Sequence, residues 1–183
     1  PDWFPGGNQI VYSNGDALNH NLHIVSRKKD GKNWTRPRYL TKWNRDDLRP
    51  IVSPNGKFIA FYSDASGPKT KFGRRWDIIV VPYKPGKTYI SMELKKMVVA
   101  RNVVIDLNTG PAWSPDSRKI FYVKKDPKSF NPIHGYDLFT GREYIFKTNT
   151  KMKRDILMSK LGILSFRAQV GVWDKVFVAS AIS

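Results

Sequence analysis

Apolar residues along this chain recur in short runs of strand character, separated by polar turns, and only rarely at helical spacing. Ile10-Val11-Tyr12, Phe58-Ile59-Ala60-Phe61-Tyr62 and Ile120-Phe121-Tyr122-Val123 are built from the β-branched and aromatic residues that suit a strand packed on both faces. A turn precedes each run. Pro54-Asn55-Gly56 and Pro115-Asp116-Ser117 put proline where a turn wants φ preset to about −65°, then Asn or Asp, which tolerate turn geometry and bond back to the backbone.

The three hairpins are copies of one unit. PDWFPGGNQIVYSN from position 1, PIVSPNGKFIAFYSD from position 50 and PAWSPDSRKIFYVKKD from position 111 align on a proline, a bulky residue, Ser or Phe, a second proline, a turn, and a strand ending in Tyr12, Tyr62 or Tyr122. Third strands are expected at Leu22-His23-Ile24-Val25, Asp77-Ile78-Ile79-Val80-Val81 and Ile133-His134-Gly135-Tyr136. Fourth strands are expected at Arg38-Tyr39-Leu40-Thr41, Met97-Val98-Val99-Ala100 and Glu143-Tyr144-Ile145-Phe146-Lys147, with a turn at 137–141. Four strands per repeat describe a propeller blade.

The strongest helical spacing lies between Met152 and Leu164, with apolar residues at 156, 157, 161, 163 and 164, and fits either one short helix or a connecting loop. Beyond it, Lys175-Val176-Phe177-Val178 lines up with Lys119-Ile120-Phe121-Tyr122, although no Ser-Pro-Asp turn precedes it. A degenerate fourth unit is expected there.

Composition agrees with a folded chain: 40% hydrophobic and 13% aromatic residues are more than a disordered segment carries. No apolar run approaches the ~20 residues needed to cross a bilayer as a helix. With no cysteine, disulfides, thiolate metal sites and a cysteine nucleophile are excluded. The net charge of +17, from 32 Lys and Arg against 15 Asp and Glu, points to acidic protein, anionic lipid or phosphate polymers as partners. Assigning basic residues to the two faces of a blade array leaves neither face dominant, so a nucleic-acid stripe is disfavoured.

Ser53-Pro54-Asn55-Gly56-Lys57-Phe58-Ile59-Ala60-Phe61 and Ser114-Pro115-Asp116-Ser117-Arg118-Lys119-Ile120-Phe121-Tyr122 resemble the repeat of TolB-type β-propellers, Ser-Pro-Asp-Gly followed by two polar residues, Ile, an aliphatic residue and Phe. Arg38-Tyr39-Leu40-Thr41 resembles the Leu-Thr that closes a blade in that family. Phe4 and Gly6 in the first copy and Ser117 in the third depart from the pattern. The resemblance implies a propeller that holds other envelope proteins, as in periplasmic TolB, or one that gates a prolyl-oligopeptidase or tricorn-type peptidase.

Individual motifs read as structural. Gly86-Lys87-Thr88 lacks the upstream glycine of a phosphate loop, where Val81 stands, and fits an ordinary turn. His20 and His23, three apart beside a strand, point to opposite faces, which disfavours a shared metal. His134 has no partner in a Gly-x-Ser-x-Gly elbow. Asp46-Asp47, beside Arg45 and Arg49, reads as a solvated or salt-bridged loop rather than an acid pair, and Asn33-Trp34-Thr35 is a glycosylation sequon of no diagnostic weight.

The expectation is therefore an all-β chain: one partial β-propeller of four-stranded antiparallel blades spanning 1–183, with about three complete blades. Their bounds are 1–49, 50–110 and 111–150, with part of a fourth at 165–183, in a fragment of a six- to eight-bladed ring. Its expected role is non-catalytic, a binding scaffold or subunit of a larger periplasmic or otherwise exported complex. No catalytic residue, cofactor or metal ligand is assigned. The candidate partner surface is the basic, aromatic loop containing Lys69, Lys71, Arg74, Arg75 and Trp76, facing acidic or membrane-associated proteins. The alternatives are the propeller of a peptidase and a basic nucleic-acid-binding propeller.

Overall fold

The computed structural model of the chain describes residues 1–16, 19–65, 67, 74–106, 108–126, 131–146, 148 and 150–180. Its strands are β1 (Asp2–Trp3), β2 (Gln9–Gly15), β3 (His20–Ser26), β4 (Arg38–Tyr39), β5 (Thr41–Lys42), β6 (Asp47–Val52), β7 (Phe58–Ser63), β8 (Trp76–Pro82), β9 (Tyr89–Ile90) and β10 (Val98–Val103). They continue as β11 (Ala112–Trp113), β12 (Lys119–Val123), β13 (Ile133–Asp137), β14 (Glu143–Phe146), β15 (Lys151–Met158), β16 (Ile163–Val170) and β17 (Trp173–Ser180). One helical turn, α1 (Ser91–Leu94), runs into a 3-10 turn at Lys95–Met97.

Three antiparallel sheets of four strands form in chain order: β1-β2-β3-β4, then β6-β7-β8-β10, then β11-β12-β13-β14, followed by a three-stranded sheet β15-β16-β17. A small parallel pair, β5 with β9, stands outside them. This is an all-β chain of partial propeller architecture, as the repeats predict.

The repeated turns close on one backbone pattern. Ser53 N donates to Phe58 O and Gly56 N to Ser53 O, Ser114 N to Lys119 O and Ser117 N to Ser114 O, Phe4 N to Gln9 O and Gly7 N to Phe4 O. Gly7, Gly56 and Ser117 occupy the same position with φ of 66, 70 and 61°. Only glycine adopts that conformation freely, so Ser117 needs compensation. Its hydroxyl accepts the Asn55 N–H at 3.0 Å, tying the third turn to the second. Phe4 replaces the serine that elsewhere caps the turn, and its ring is buried against Tyr83 at 4.5 Å.

Sheet alternation distributes the apolar side chains over three seams between successive sheets. Val11, Leu22 and Ile24 of the first sheet meet Ile59, Phe61, Ile79 and Val81 of the second. From the other face of the second sheet, Ala60, Tyr62, Ile78 and Val80 meet Trp113, Ile120 and Tyr122 of the third. Phe121, Val123 and Ile133 then meet Ile156, Leu164, Phe166 and Ala168. Burying each such side chain contributes ~1.5–3 kcal/mol, so these seams hold the array together. Register makes Phe61, one residue before Tyr62, the equivalent of Tyr12 and Tyr122: each stands opposite His23, Ile79 or His134 on the neighbouring strand.

Two further sequence expectations change. The stretch from Met152 to Leu164 is neither helix nor loop: it is strand β15, a turn closed by Gly162 N donating to Ser159 O, and the start of β16. Its apolar positions lose a simple alternation because irregularities in the β15–β16 register shift the phase. Lys175–Val178 lies in β17, the third strand of its sheet rather than the second. The second-strand place belongs to β16, which packs Leu164, Phe166 and Ala168 into the third seam.

Candidate functional site

Of the predicted basic loop, Lys69 and Lys71 lie outside the described residues; Arg74, Arg75 and Trp76 can be placed. Arg74 turns inward. Its guanidinium pairs with the buried carboxylate of Asp46 and stands 4.0 Å from Asp64, with Trp76 beneath it at 6.0 Å from the ring centre. Asp46 also accepts from the His20 backbone N–H at 2.9 Å and contacts His20 Nδ1 at 2.8 Å, while its own N–H donates to Asp64 at 3.0 Å. Arg75 is exposed, and Trp76 begins β8 and packs against the second seam.

Asp46 is thus salt-bridged, one of the two states expected of this pair, but neither carboxylate is solvated, and Asp47 opens strand β6 rather than lying in a loop. Asp47 is fully buried and accepts from the Ser63 hydroxyl at 2.7 Å and the Trp43 indole N–H at 2.8 Å. Burial pushes its carboxyl up to about 7, against hydrogen bonds from Thr41, Ser63 and Trp43. Removing the Arg74 cation would leave Asp46 buried without its counter-charge. Arg74→Met should lower stability by about 1–3 kcal/mol in urea unfolding, and an unchanged midpoint would mean the pair adds nothing.

The histidines have separate tasks. His23 stacks between Tyr12 and Tyr39, at 5.8 and 4.3 Å. His134 stacks on Tyr122 and contacts Glu143 at 2.9 Å, where the Tyr122 hydroxyl and Lys124 also converge. Desolvation lowers the His134 pKa, more than the neighbouring carboxylate raises it. Burial pushes Glu143 up, but the Tyr122 and Lys124 hydrogen bonds outweigh it and hold the carboxyl below its usual range. No group of three or more His, Asp or Glu suited to a metal occurs among the described residues.

Acidic side chains are spent on the fold. Asp2, Asp16, Asp30, Asp106, Asp116 and Asp137 accept backbone N–H groups in strands and turns. Asp46, Asp47, Asp64 and Asp77 are buried. Glu93, Glu143, Asp155 and Asp174 pair with Lys87, Lys124, Arg167 and Arg154. Because Asp46, Asp47, Asp64 and Asp77 are withdrawn from the surface, the excess of 32 basic over 15 acidic residues is felt more strongly outside than the composition alone implies.

A second surface was not legible in the sequence: a groove lined by Lys42, Trp43, Ile90, Met92, Lys95 and Lys96, brought together where β5 pairs with β9. The residues that make it are far apart in the chain, and neither segment carries a motif.

No known protein family and no curated protein matches the sequence. Among solved structures, the chain is similar to a putative TolB from Agrobacterium tumefaciens, with a TM-score of 0.65 and 16% identity over 98% of this chain and 57% of that one. TolB from Acinetobacter baumannii gives 0.61 and 18%, over 96% of this chain and 39% of that one. A puromycin-hydrolyzing peptidase of Mycobacterium tuberculosis gives 0.67 and 10%, over 98% and 27%. The chain therefore spans little more than half, and as little as a quarter, of the proteins it is similar to. Identities this low speak to the fold alone, and with the three repeated sheets they make it that of a TolB-type β-propeller.

Proposed function

We propose that this chain is the non-catalytic binding part of a TolB-like propeller, a scaffold for acidic protein partners within a larger exported complex. The observation that carries this reading is the charge: 32 basic residues stand against 15 acidic ones, four of which, Asp46, Asp47, Asp64 and Asp77, are buried, so the exterior is strongly cationic. Such a surface speeds association with acidic partners and orients them. No helix among the described residues is long and apolar enough to cross a membrane.

The loop at 69–76 is the proposed contact, with Lys69, Lys71, Arg75 and Trp76 offered to the partner and Arg74 anchoring the loop base through Asp46. In the native complex, cross-linking with mass spectrometry should join this loop to an acidic protein, and Lys69→Glu/Lys71→Glu/Arg75→Glu should abolish those cross-links. Cross-links to RNA, or retention of the same partner by the triple variant, would overturn the assignment.

A second reading has its own support, because the peptidase of Mycobacterium tuberculosis is as similar in fold as the TolB proteins are. On that reading the propeller screens substrates for a hydrolase domain carried on the same polypeptide. Cross-links from the loop to such a domain in cis would favour it over the scaffold.

A further inference from the structure

The groove between β5 and the α1 segment is built rather than incidental. Leu94 is fully buried and Met97 packs on the first seam, which pins the helical turn and leaves Met92, Lys95 and Lys96 pointing outward. Glu93 ties the turn down, accepting from Lys87 at 2.5 Å and from the Ile90 N–H at 3.1 Å. On the opposite wall, Trp43 is fixed by two hydrogen bonds, its backbone N–H to Asn21 at 3.0 Å and its indole N–H to buried Asp47 at 2.8 Å. Parallel pairing sets Lys42 beside Ile90.

The resulting groove, about 650 Å³, lies open to solvent, which suits a segment of peptide laid along it rather than an enclosed small molecule. Its floor and rim are of opposite character. Trp43, Ile90 and Met92 supply apolar surface, with Ile90 50% and Met92 67% exposed, while Lys42, Lys95 and Lys96 supply cations. Among the described residues none of these three lysines makes an ion pair, and the one carboxylate of the α1 segment, Glu93, is bound to Lys87.

We infer that this groove docks an acidic peptide segment carrying an apolar anchor, the anchor seated on Trp43, Ile90 and Met92 and its flanking carboxylates met by Lys42, Lys95 and Lys96. Charge complementarity selects the acid and the exposed apolar surface between the lysines selects the anchor. A nucleic-acid backbone would satisfy the lysines but leave the apolar surface of Trp43, Ile90 and Met92 uncovered. The inference shares with the proposed function the premise of acidic protein partners, but it concerns a different surface from the 69–76 loop, and the two can fail separately.

The test is fluorescence anisotropy of the whole chain with two fluorescein-labelled heptapeptides, hepta-glutamate and one with five acidic residues around a central Leu-Phe. The mixed peptide should bind about tenfold tighter or more, and Lys42→Glu/Lys95→Glu/Lys96→Glu should weaken it by about tenfold. Met92→Ser, at an exposed site that leaves the core intact, should bring the two peptides close to equal affinity, while Lys69→Glu/Lys71→Glu/Arg75→Glu should leave the mixed peptide bound. Equal binding of both peptides to the unaltered chain would overturn the inference. So would a loop variant that loses the mixed peptide as fully as the groove variant, or oligo-dT or phosphatidylglycerol vesicles that displace it from the groove. Circular dichroism melts of each variant separate lost binding from lost fold.

Discussion

Phe61→Ala should destabilise the chain by about 3–5 kcal/mol, seen as a large drop in the urea midpoint by tryptophan fluorescence and far-UV circular dichroism together. Phe61 is fully buried in β7, faces the first sheet across the first seam, and stands opposite Ile79 in register. Removing its ring opens a cavity bounded by backbone from two sheets, which cannot collapse without breaking strand pairing. Leu161→Ala is the matched control: Leu161 is 82% exposed in the β15–β16 turn, and its loss should change stability by no more than about 0.5 kcal/mol. If Phe61→Ala behaved like the control, the seam would not be what holds the first two sheets together.

The hairpins are legible in the sequence because their information is local. A proline, an Asn or Asp, and then an aromatic and aliphatic strand mark the turn and the strand after it three times over. Matching the copies on Tyr12, Tyr62 and Tyr122 nevertheless puts the second one residue out of phase, since Phe61 holds the equivalent place. Where the repeat degenerates, this local information fails. β15 and β16 carry no Ser-Pro-Asp turn, a turn at Ser159–Gly162 splits the apolar run, and shifts in register break its alternation, so a strand pair resembled a helix.

The candidate sites were less legible for a different reason. Asp46 and Asp47 look like solvated or salt-bridged loop residues because nothing nearby in sequence announces that both carboxylates will be buried. Arg74 looks like a free cation until Asp46 is placed beside it. The lysine groove needs β5 and β9 to be paired, and that parallel contact lies outside the repeat. Burial and juxtaposition of polar residues are set by long-range packing, on which a pattern of period two is silent.

Between about pH 4 and pH 7 stability should fall as pH rises, and Asp47 should account for most of the slope. The folded chain holds the Asp47 proton more tightly than the unfolded chain does, because ionisation would strand a charge in a fully buried site. The displacement of its pKa from 3.8 to about 7 corresponds to about 4 kcal/mol. That contribution is complete below the unfolded value, where both states are protonated, and is lost as pH climbs through the folded one. Asp106, Asp116, Asp137 and Glu143 act in the opposite sense. Their carboxyls are held below the usual range by hydrogen bonds and nearby cations, so their stabilisation is present above the ordinary carboxylate range and lost as pH falls beneath it. Stability should therefore peak in mildly acidic solution and decline on both sides, by different residues on each limb. Urea midpoints measured from pH 3 to pH 8, roughly the span of these titrations, give both limbs. Asp47→Asn keeps the size of the side chain and cannot ionise, so it should flatten the alkaline limb and leave the acid limb in place. An alkaline limb that survives Asp47→Asn would assign the titration to another group and leave Asp47 charged in its buried site, where Ser63, Trp43 and Thr41 alone would have to stabilise it.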